Sequence, residues 1–201
     1  EQLLDIDDLA LVVLDPLASF VSIDINADPA VGAYVLGAFA ELAKETGCAL
    51  LVCHHMRKPA SATEAIKSAV DARHAIRGST AIVDRSRCAY SLWVPDEKDA
   101  AEVCQLLGYR YEPNSVVHGA VVKANGPADL RVRTYLRDAE TGLLGDVTAR
   151  HEKAKPNLDA MLLYAIRSAD PPYTLSRGQH GLWANKGKLP DELQRLTKRA
   201  L

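Results

Sequence analysis

Four consecutive branched aliphatic residues, Leu11-Val12-Val13-Leu14, stop abruptly at a carboxylate and a proline, Asp15-Pro16. A short apolar run closed by a breaker has the pattern of a strand buried on both faces, the kind found in parallel sheets covered by helices. Cys48-Ala49-Leu50-Leu51-Val52-Cys53 repeats that pattern and ends in His54-His55. Between the two runs, Asp28-Pro29 offers an N-cap followed by proline at the first helical position. Val31, Val35, Phe39 and Leu42 then recur at helical spacing, and Gly47 supplies a C-cap. Strand, helix, strand with both strands wholly apolar predicts a parallel βαβ unit. Such a unit brings Asp15 and His54-His55 to one edge of one sheet. Ligands of open α/β sheets bind at the carboxyl ends of the strands, so Asp15 is placed to meet a ligand or its metal, or else to cap the turn that follows it.

Composition sets the outer bounds. With 201 residues, 48% hydrophobic and 25% charged, the chain has material for one core and a small appendage. No apolar run approaches the roughly 18 to 20 residues of a membrane span, and Glu1-Gln2-Leu3-Leu4-Asp5 lacks a signal-peptide layout. No membrane association is expected, and the expected location is cytoplasmic. Cys48, Cys53, Cys88 and Cys104 show no CxxC spacing, which favours reduced, packed thiols over disulfides or zinc. The net charge of −2 conceals an asymmetry: residues 1–150 carry 15 Lys and Arg against 21 Asp and Glu, whereas 151–201 carry 9 against 5. A basic tail on an acidic body suggests a separate unit able to touch nucleic acid, or a solvated basic face.

Downstream of His55 the chain turns polar and basic through residue 76, with one short amphipathic helix expected over residues 62–72. Arg77-Gly78-Ser79-Thr80 opens a further helix through Arg87, with Ser79 or Thr80 as cap, and residues 88–94 read as a third strand. Residues 96–107 read as a helix, 116–124 and 130–137 as two alternating strands joined at Asn125-Gly126-Pro127, and 143–147 as a strand after a Thr141-Gly142 turn. Pro156 marks a boundary. Beyond it, helices are expected at 158–168, at 176–184 and from 189 onward. Three basic helices in sequence look like the start of a helix-turn-helix or winged-helix module without its β-wing.

Leu11 to Pro16, then Cys53-His54-His55-Met56-Arg57-Lys58, then Arg77-Gly78-Ser79, then Lys123-Ala124-Asn125-Gly126-Pro127 follow one another in an order that resembles the second half of a RecA-like ATPase core. The likeness is to RepA-type and DnaB-like hexameric helicases and covers roughly residues 8–148. It implies an α/β fold: a RecA-like, mostly parallel sheet with flanking helices over residues 1–150, forming a partial core, and a small helix-turn-helix-like unit over 156–201. It implies ATP and Mg²⁺ bound between the subunits of a homo-oligomeric ring and coupled to single-stranded DNA. Asp15 matches the Walker B acid that holds Mg²⁺, an ion that takes one or two protein carboxylates together with phosphate oxygens and water. His54 and His55 match the sensor position, where a neutral imidazole can switch hydrogen bonding at phosphate without gaining charge.

The same resemblance gives Lys123 to a neighbouring subunit's nucleotide as a trans-acting cation and sets Asn125 beside that nucleotide. It gives Lys58, Lys67, Arg73 and Arg77 to DNA phosphates through a basic loop at residues 56–76, a signal that is electrostatic only because the loop has no aromatic residue. Two departures stand out. Only Ala124 separates Lys123 from Asn125-Gly126-Pro127, where DnaB-like members carry an arginine finger; Arg131 and Arg133 are candidate substitutes. There is also no GxxxxGK[ST] loop, so the resemblance implies that the strand beside the sensor strand is missing, leaving an apolar edge, and that this chain alone does not hydrolyse ATP. The alternative is a non-catalytic DNA-binding or oligomerisation module of the same fold. A metal site built from Cys53, His54, His55 and Asp15 is disfavoured, since neighbours on a strand point to opposite faces.

Overall fold

The computed structural model describes residue 3 and residues 5–21, 29–57, 65–77, 80–174 and 178–196. Its contacts fall into two units, residues 1–151 and 152–201. The first unit opens with β1 (Leu11–Leu14), α1 (Pro29–Thr46) and β2 (Ala49–Val52). β1 and β2 pair in parallel, Leu11 beside Ala49 and Leu14 beside Val52. α1 begins at Pro29, whose missing N–H costs nothing in a first turn, and stops before Gly47, whose φ of 72° lies in the left-handed region that ends helices. The proposed cap Asp28 lies outside the described residues.

One face of this pair is packed. Val52 joins Leu17, Val21, Val35, Leu36, Phe39 and Ile82 in a cluster that seats the strands against α1 and α3 (Thr80–Arg85). On the other face Leu11, Val13 and Leu51 are about half exposed, which corrects the expectation of strands buried on both faces. The side-chain period of two explains the split, because alternate residues of each strand meet opposite environments. Among the described residues no third strand joins β1 and β2.

The remaining strands form a separate four-stranded antiparallel sheet, ordered β3 (Cys88–Trp93), β4 (Val116–Ala124), β5 (Arg133–Arg137) and β6 (Leu144–Asp146). The fold is mixed α/β, and the expected mostly parallel RecA-like sheet is not found among the described residues, where only β1 and β2 pair in parallel. For β5 and β6 the cause is connection length: β4 to β5 and β5 to β6 are joined by short connections, which reverse the chain. In the second of these, Asp138 accepts from the Thr141 N–H at 2.8 Å and the Thr141 hydroxyl at 2.7 Å, with Gly142 at φ 73°. β5 starts at Arg133, later than expected, because Asp129 first folds back onto the Arg131 N–H at 3.0 Å.

Val116, His118 and Ala120 lie on one face of β4, as every second residue must. α4 (Glu97–Leu107), capped by Asp96 on the Asp99 N–H and ended by Gly108 at φ 75°, packs Ala100, Val103 and Cys104 against Val116. α2 (Ala69–Ala75), capped by Ser68 on the Asp71 N–H, packs Ala72 with Trp93 and Ala120. The helix expected over 62–72 thus sits further along the chain, where Ser68 supplies the cap that the apolar pattern did not reveal. α5 (Thr148–Ala154) was not expected at all; the division between the two units falls within it.

In the second unit α6 (Leu158–Ser168) begins at Asn157, which caps the Ala160 N–H, and α7 (Asp191–Gln194) begins after Pro190. Leu158, Met161, Leu162, Ala165 and Ile166 of α6 pack on Leu182, Leu189 and Leu193. The helix expected over 176–184 does not form: residues 178–184 are turns, with Thr174 and Gly181 joined by a bridge and Asn185 ending the run. No described helix is long and apolar enough to cross a membrane.

Leu17 is fully buried beneath the end of β1, whereas Leu11 is half exposed on its open face. Leu17→Ala is expected to cost about 2–5 kcal/mol and Leu11→Ala less than about 1 kcal/mol in urea unfolding; equal losses would contradict this packing.

Candidate functional site at the ends of the parallel strands

The carboxyl ends of β1 and β2 are stitched together by backbone. The Cys53 N–H donates to Leu14 O at 2.8 Å, and the Leu17 N–H donates to Cys53 O at 2.7 Å. Asp15 and Pro16, joined by a cis peptide, lie between those two bonds and form the lip of the sheet, with a 3₁₀ turn at Leu17–Ser19 behind them. Asp15 is exposed. The strand that brings it there is held by Leu17 in the core, so the carboxylate is presented outward from an anchored backbone.

His54 follows on the neighbouring strand, and its Nε2 lies 2.8 Å from Arg77 O. A carbonyl accepts only, so Nε2 carries the proton and Nδ1 is left with a lone pair. That Nδ1 is buried and has no hydrogen-bond partner among the described residues. Burial lowers the His54 pKa below its ordinary value; the Arg77 carbonyl opposes this, and the nearby His55 and Arg77 charges add to the lowering. His54 is therefore neutral at pH 7 and offers an acceptor.

The backbone continues this linkage. Arg77 N–H donates to His55 O at 3.1 Å, Arg57 N–H donates to Ala75 O at 2.6 Å, and Met56 bridges Ile76. The basic loop is thus closed at its base and tied to the strand end that carries the histidines. Its second half is core rather than free loop, because Ile66, Ala69 and Ala72 pack beneath Trp93.

The other expected residues are dispersed. Lys123 donates to Asp84 O at 2.7 Å and also to Ser86 O, holding the last carbonyls of α3, where a cation meets the negative end of the helix. Asn125 N–H donates to Arg87 O at 3.0 Å, fixing the turn after β4 to the same helix end. Arg73 pairs with Asp84 at 2.5 Å. Lys67 and Arg77 are exposed, and Lys58 lies outside the described residues. Arg131 grips Asp129 through two bonds of 3.0 and 2.9 Å, and Arg133 reaches Asp146 at 3.1 Å. Sequence reasoning missed Asp84, which sits at the meeting point of Arg73 and Lys123; a lone Asp near a helix end gives no pattern to detect.

Residues 1–61 match the family model of an AAA domain. The AAA-like segment spans β1, α1 and β2 and contains Asp15, His54 and His55, so the likeness falls on the stitched strand ends. It supports nucleotide-binding, ATPase-like character for that segment at a coarse level. Comparison with curated proteins finds no match. Among the described residues of the chain, no group of three or more His, Cys, Asp or Glu could hold a metal. Mg²⁺ bound through one carboxylate, phosphate oxygens and water needs no such group, so Asp15 in the AAA-like segment fits that ion.

Because its folded pKa lies below 6.5, His54 binds protons less readily folded than unfolded. Its share of stability is therefore present above about pH 6.5 and lost as the pH falls through the folded value. His54→Gln keeps a donor for Arg77 O and cannot titrate. Urea unfolding from pH 7 to 5 should show the wild type losing more stability than this variant, and parallel profiles would exclude the assignment.

Proposed function

We propose that this chain is part of a nucleotide-driven ATPase of the RecA-like, RepA-type helicase kind, in which Asp15 holds Mg²⁺ and His54 and His55 read the nucleotide's phosphates. The observation that carries the reading is the pair of backbone bonds joining the ends of β1 and β2, with an exposed carboxylate on one strand and a neutral imidazole on the next. Mg²⁺ would supply charge neutralisation on the phosphates. Asp15 would orient the ion, and His54 would accept at Nδ1 from a water held on the phosphates, since an ionised phosphate has no proton to give, while its Nε2–H keeps hold of the Arg77 carbonyl. That carbonyl stands at the base of the basic loop, so a shift of the imidazole on nucleotide binding would move Arg77 and, through the Met56–Ile76 bridge, the loop bearing Lys58, Lys67 and Arg73. Phosphates of single-stranded DNA are the partner these cations suit.

Lys123 would have to leave the carbonyls of α3 to act in trans on a neighbouring subunit's nucleotide in a homo-oligomeric ring, with Asn125 moving alongside it. A second reading, a non-catalytic DNA-binding module, is favoured by the engagement of Lys123 with its own chain and by the absence of a glycine-rich phosphate loop from the sequence.

Equilibrium dialysis with Mg²⁺ and ATP tests the first reading. Asp15→Asn is expected to weaken Mg²⁺-dependent ATP binding about tenfold or more, without turnover in either protein, and Arg110→Ala, at an exposed position, to leave it unchanged. Equal binding in the wild type and Asp15→Asn would discard the metal role and leave the second reading.

A further inference from the structure

The turn that follows β4 holds two reactive groups side by side. An asparagine presents its side-chain carbonyl carbon, Cγ, to the backbone nitrogen of the next residue, and glycine alone leaves that nitrogen uncrowded by a Cβ. Asn125-Gly126 is the one Asn-Gly pair in the chain.

The fold leaves this pair unprotected. Asn125, Gly126 and Pro127 are all exposed. The Asn125 backbone N–H is engaged, donating to Arg87 O at 3.0 Å. Among the described residues, however, the Asn125 side-chain amide has no hydrogen bond, and neither has the Gly126 N–H. Apart from its chain neighbours, no atom lies within 4 Å of the place a Cβ would take at Gly126. Nucleophile and electrophile therefore meet in open solvent with no bond to break first.

The other described asparagines are held. After Asn114, the Ser115 N–H donates to Glu112 O at 3.1 Å. Asn157 Oδ1 caps α6 by accepting from the Ala160 N–H at 3.0 Å. Asn185 Nδ2 donates to Gln179 O at 2.7 Å and to Gly181 O at 3.0 Å, and the Lys186 N–H after it donates to Trp183 O at 3.3 Å. Each would have to give up a hydrogen bond before reacting. Asn26 lies outside the described residues.

We propose that Asn125-Gly126 is a self-modifying site, where water alone converts the Asn125 amide into an aspartyl or isoaspartyl carboxylate. The Gly126 nitrogen gives its proton to solvent hydroxide and bonds to Asn125 Cγ. The Cγ–Nδ2 bond breaks, ammonia leaves, and a cyclic imide joins the two residues. Water then opens the imide. Attack at Cγ restores the original peptide bond and leaves aspartate; attack at the backbone carbonyl carbon moves the peptide bond to Cγ and leaves isoaspartate. One water is consumed and one ammonia released, with no oxidant or reductant.

The consequence follows from which atoms change. The Asn125 N–H precedes them, so its bond to Arg87 O survives and β4 keeps its register with β3. Downstream, the connection toward β5 gains a negative charge in both products. In the isoaspartyl form it also gains one methylene of length, ahead of the point where Asp129 accepts from the Arg131 N–H. The new carboxylate arrives two residues after Lys123, whose ammonium holds Asp84 O and Ser86 O. Conversion thus changes the charge of the turn and leaves the sheet paired. It rests on the turn alone and holds whether or not the chain binds nucleotide.

The test incubates the whole chain in mildly alkaline buffer and follows its tryptic peptides by mass spectrometry, beside a synthetic peptide of residues 124–131 as the unfolded reference. The fragment 124–131 should gain the mass of an amide-to-acid change and separate into two isomers, while the fragments carrying Asn114, Asn157 and Asn185 keep their amides. Folded chain and free peptide should convert at rates less than about fivefold apart, the slowing that one protecting hydrogen bond would give. Gly126→Ala, which the open space accommodates, should keep the far-UV circular dichroism and slow conversion about tenfold by crowding the imide. An intact amide at Asn125 would overturn the proposal. So would equally fast loss at Asn114, Asn157 or Asn185, a folded chain slower than the peptide by fivefold or more in this measure, or a Gly126→Ala chain that converts as fast as the wild type.

Discussion

The nucleotide edge proposed for this chain depends on two backbone hydrogen bonds, Cys53 N–H to Leu14 O and Leu17 N–H to Cys53 O. They hold two four-residue strands in register at the end where their side chains turn polar. A parallel pair this short has little stability of its own. It persists because Leu17, immediately beyond the lip, is driven into the cluster with Val35 and Ile82. Burial of one leucine thereby sets where Asp15 points, and the backbone of the next strand sets where His54 begins.

From that edge, contacts run outward in a chain that needs no long-range motion. His54 holds the Arg77 carbonyl, Arg77 and Arg57 close the basic loop, and the loop's helix α2 lies on Trp93 and Ala120 of the antiparallel sheet. Asp84 and Lys123 tie α3 to the same region from the other side. The strand ends are thus mechanically continuous with the sheet's packed face.

The sequence revealed elements wherever apolar residues repeat with a period. β1, β2 and β4 stand out as runs, and α1 and α6 as three-and-four spacings bounded by Pro29, Gly47 and Asn157. α5 did not stand out, because Thr-Ala-Arg-His-Glu-Lys-Ala has no apolar stripe and buries only His151. Strand direction was not legible either. The resemblance led to an expectation of a mostly parallel sheet, whereas the turns at Asp129 and Asp138 go with antiparallel pairing through side-chain bonds a periodicity does not record. At the candidate site, the placing of Asp15 and His54 at one edge followed from the βαβ pattern. The partners of Lys123 and Arg73 did not, since Asp84 is near neither in sequence.

The most direct measurement of the central claim uses Mn²⁺, a paramagnetic ion that takes the same oxygen ligands as Mg²⁺. With ATP and Mn²⁺ added to ¹⁵N-labelled protein, amide signals of residues 14, 15, 17 and 53–55 should broaden together, those of α4 and β6 should remain sharp, and Asp15→Asn should restore the broadened set. Broadening centred elsewhere, or unchanged in Asp15→Asn, would contradict the assignment of the strand ends as the nucleotide edge.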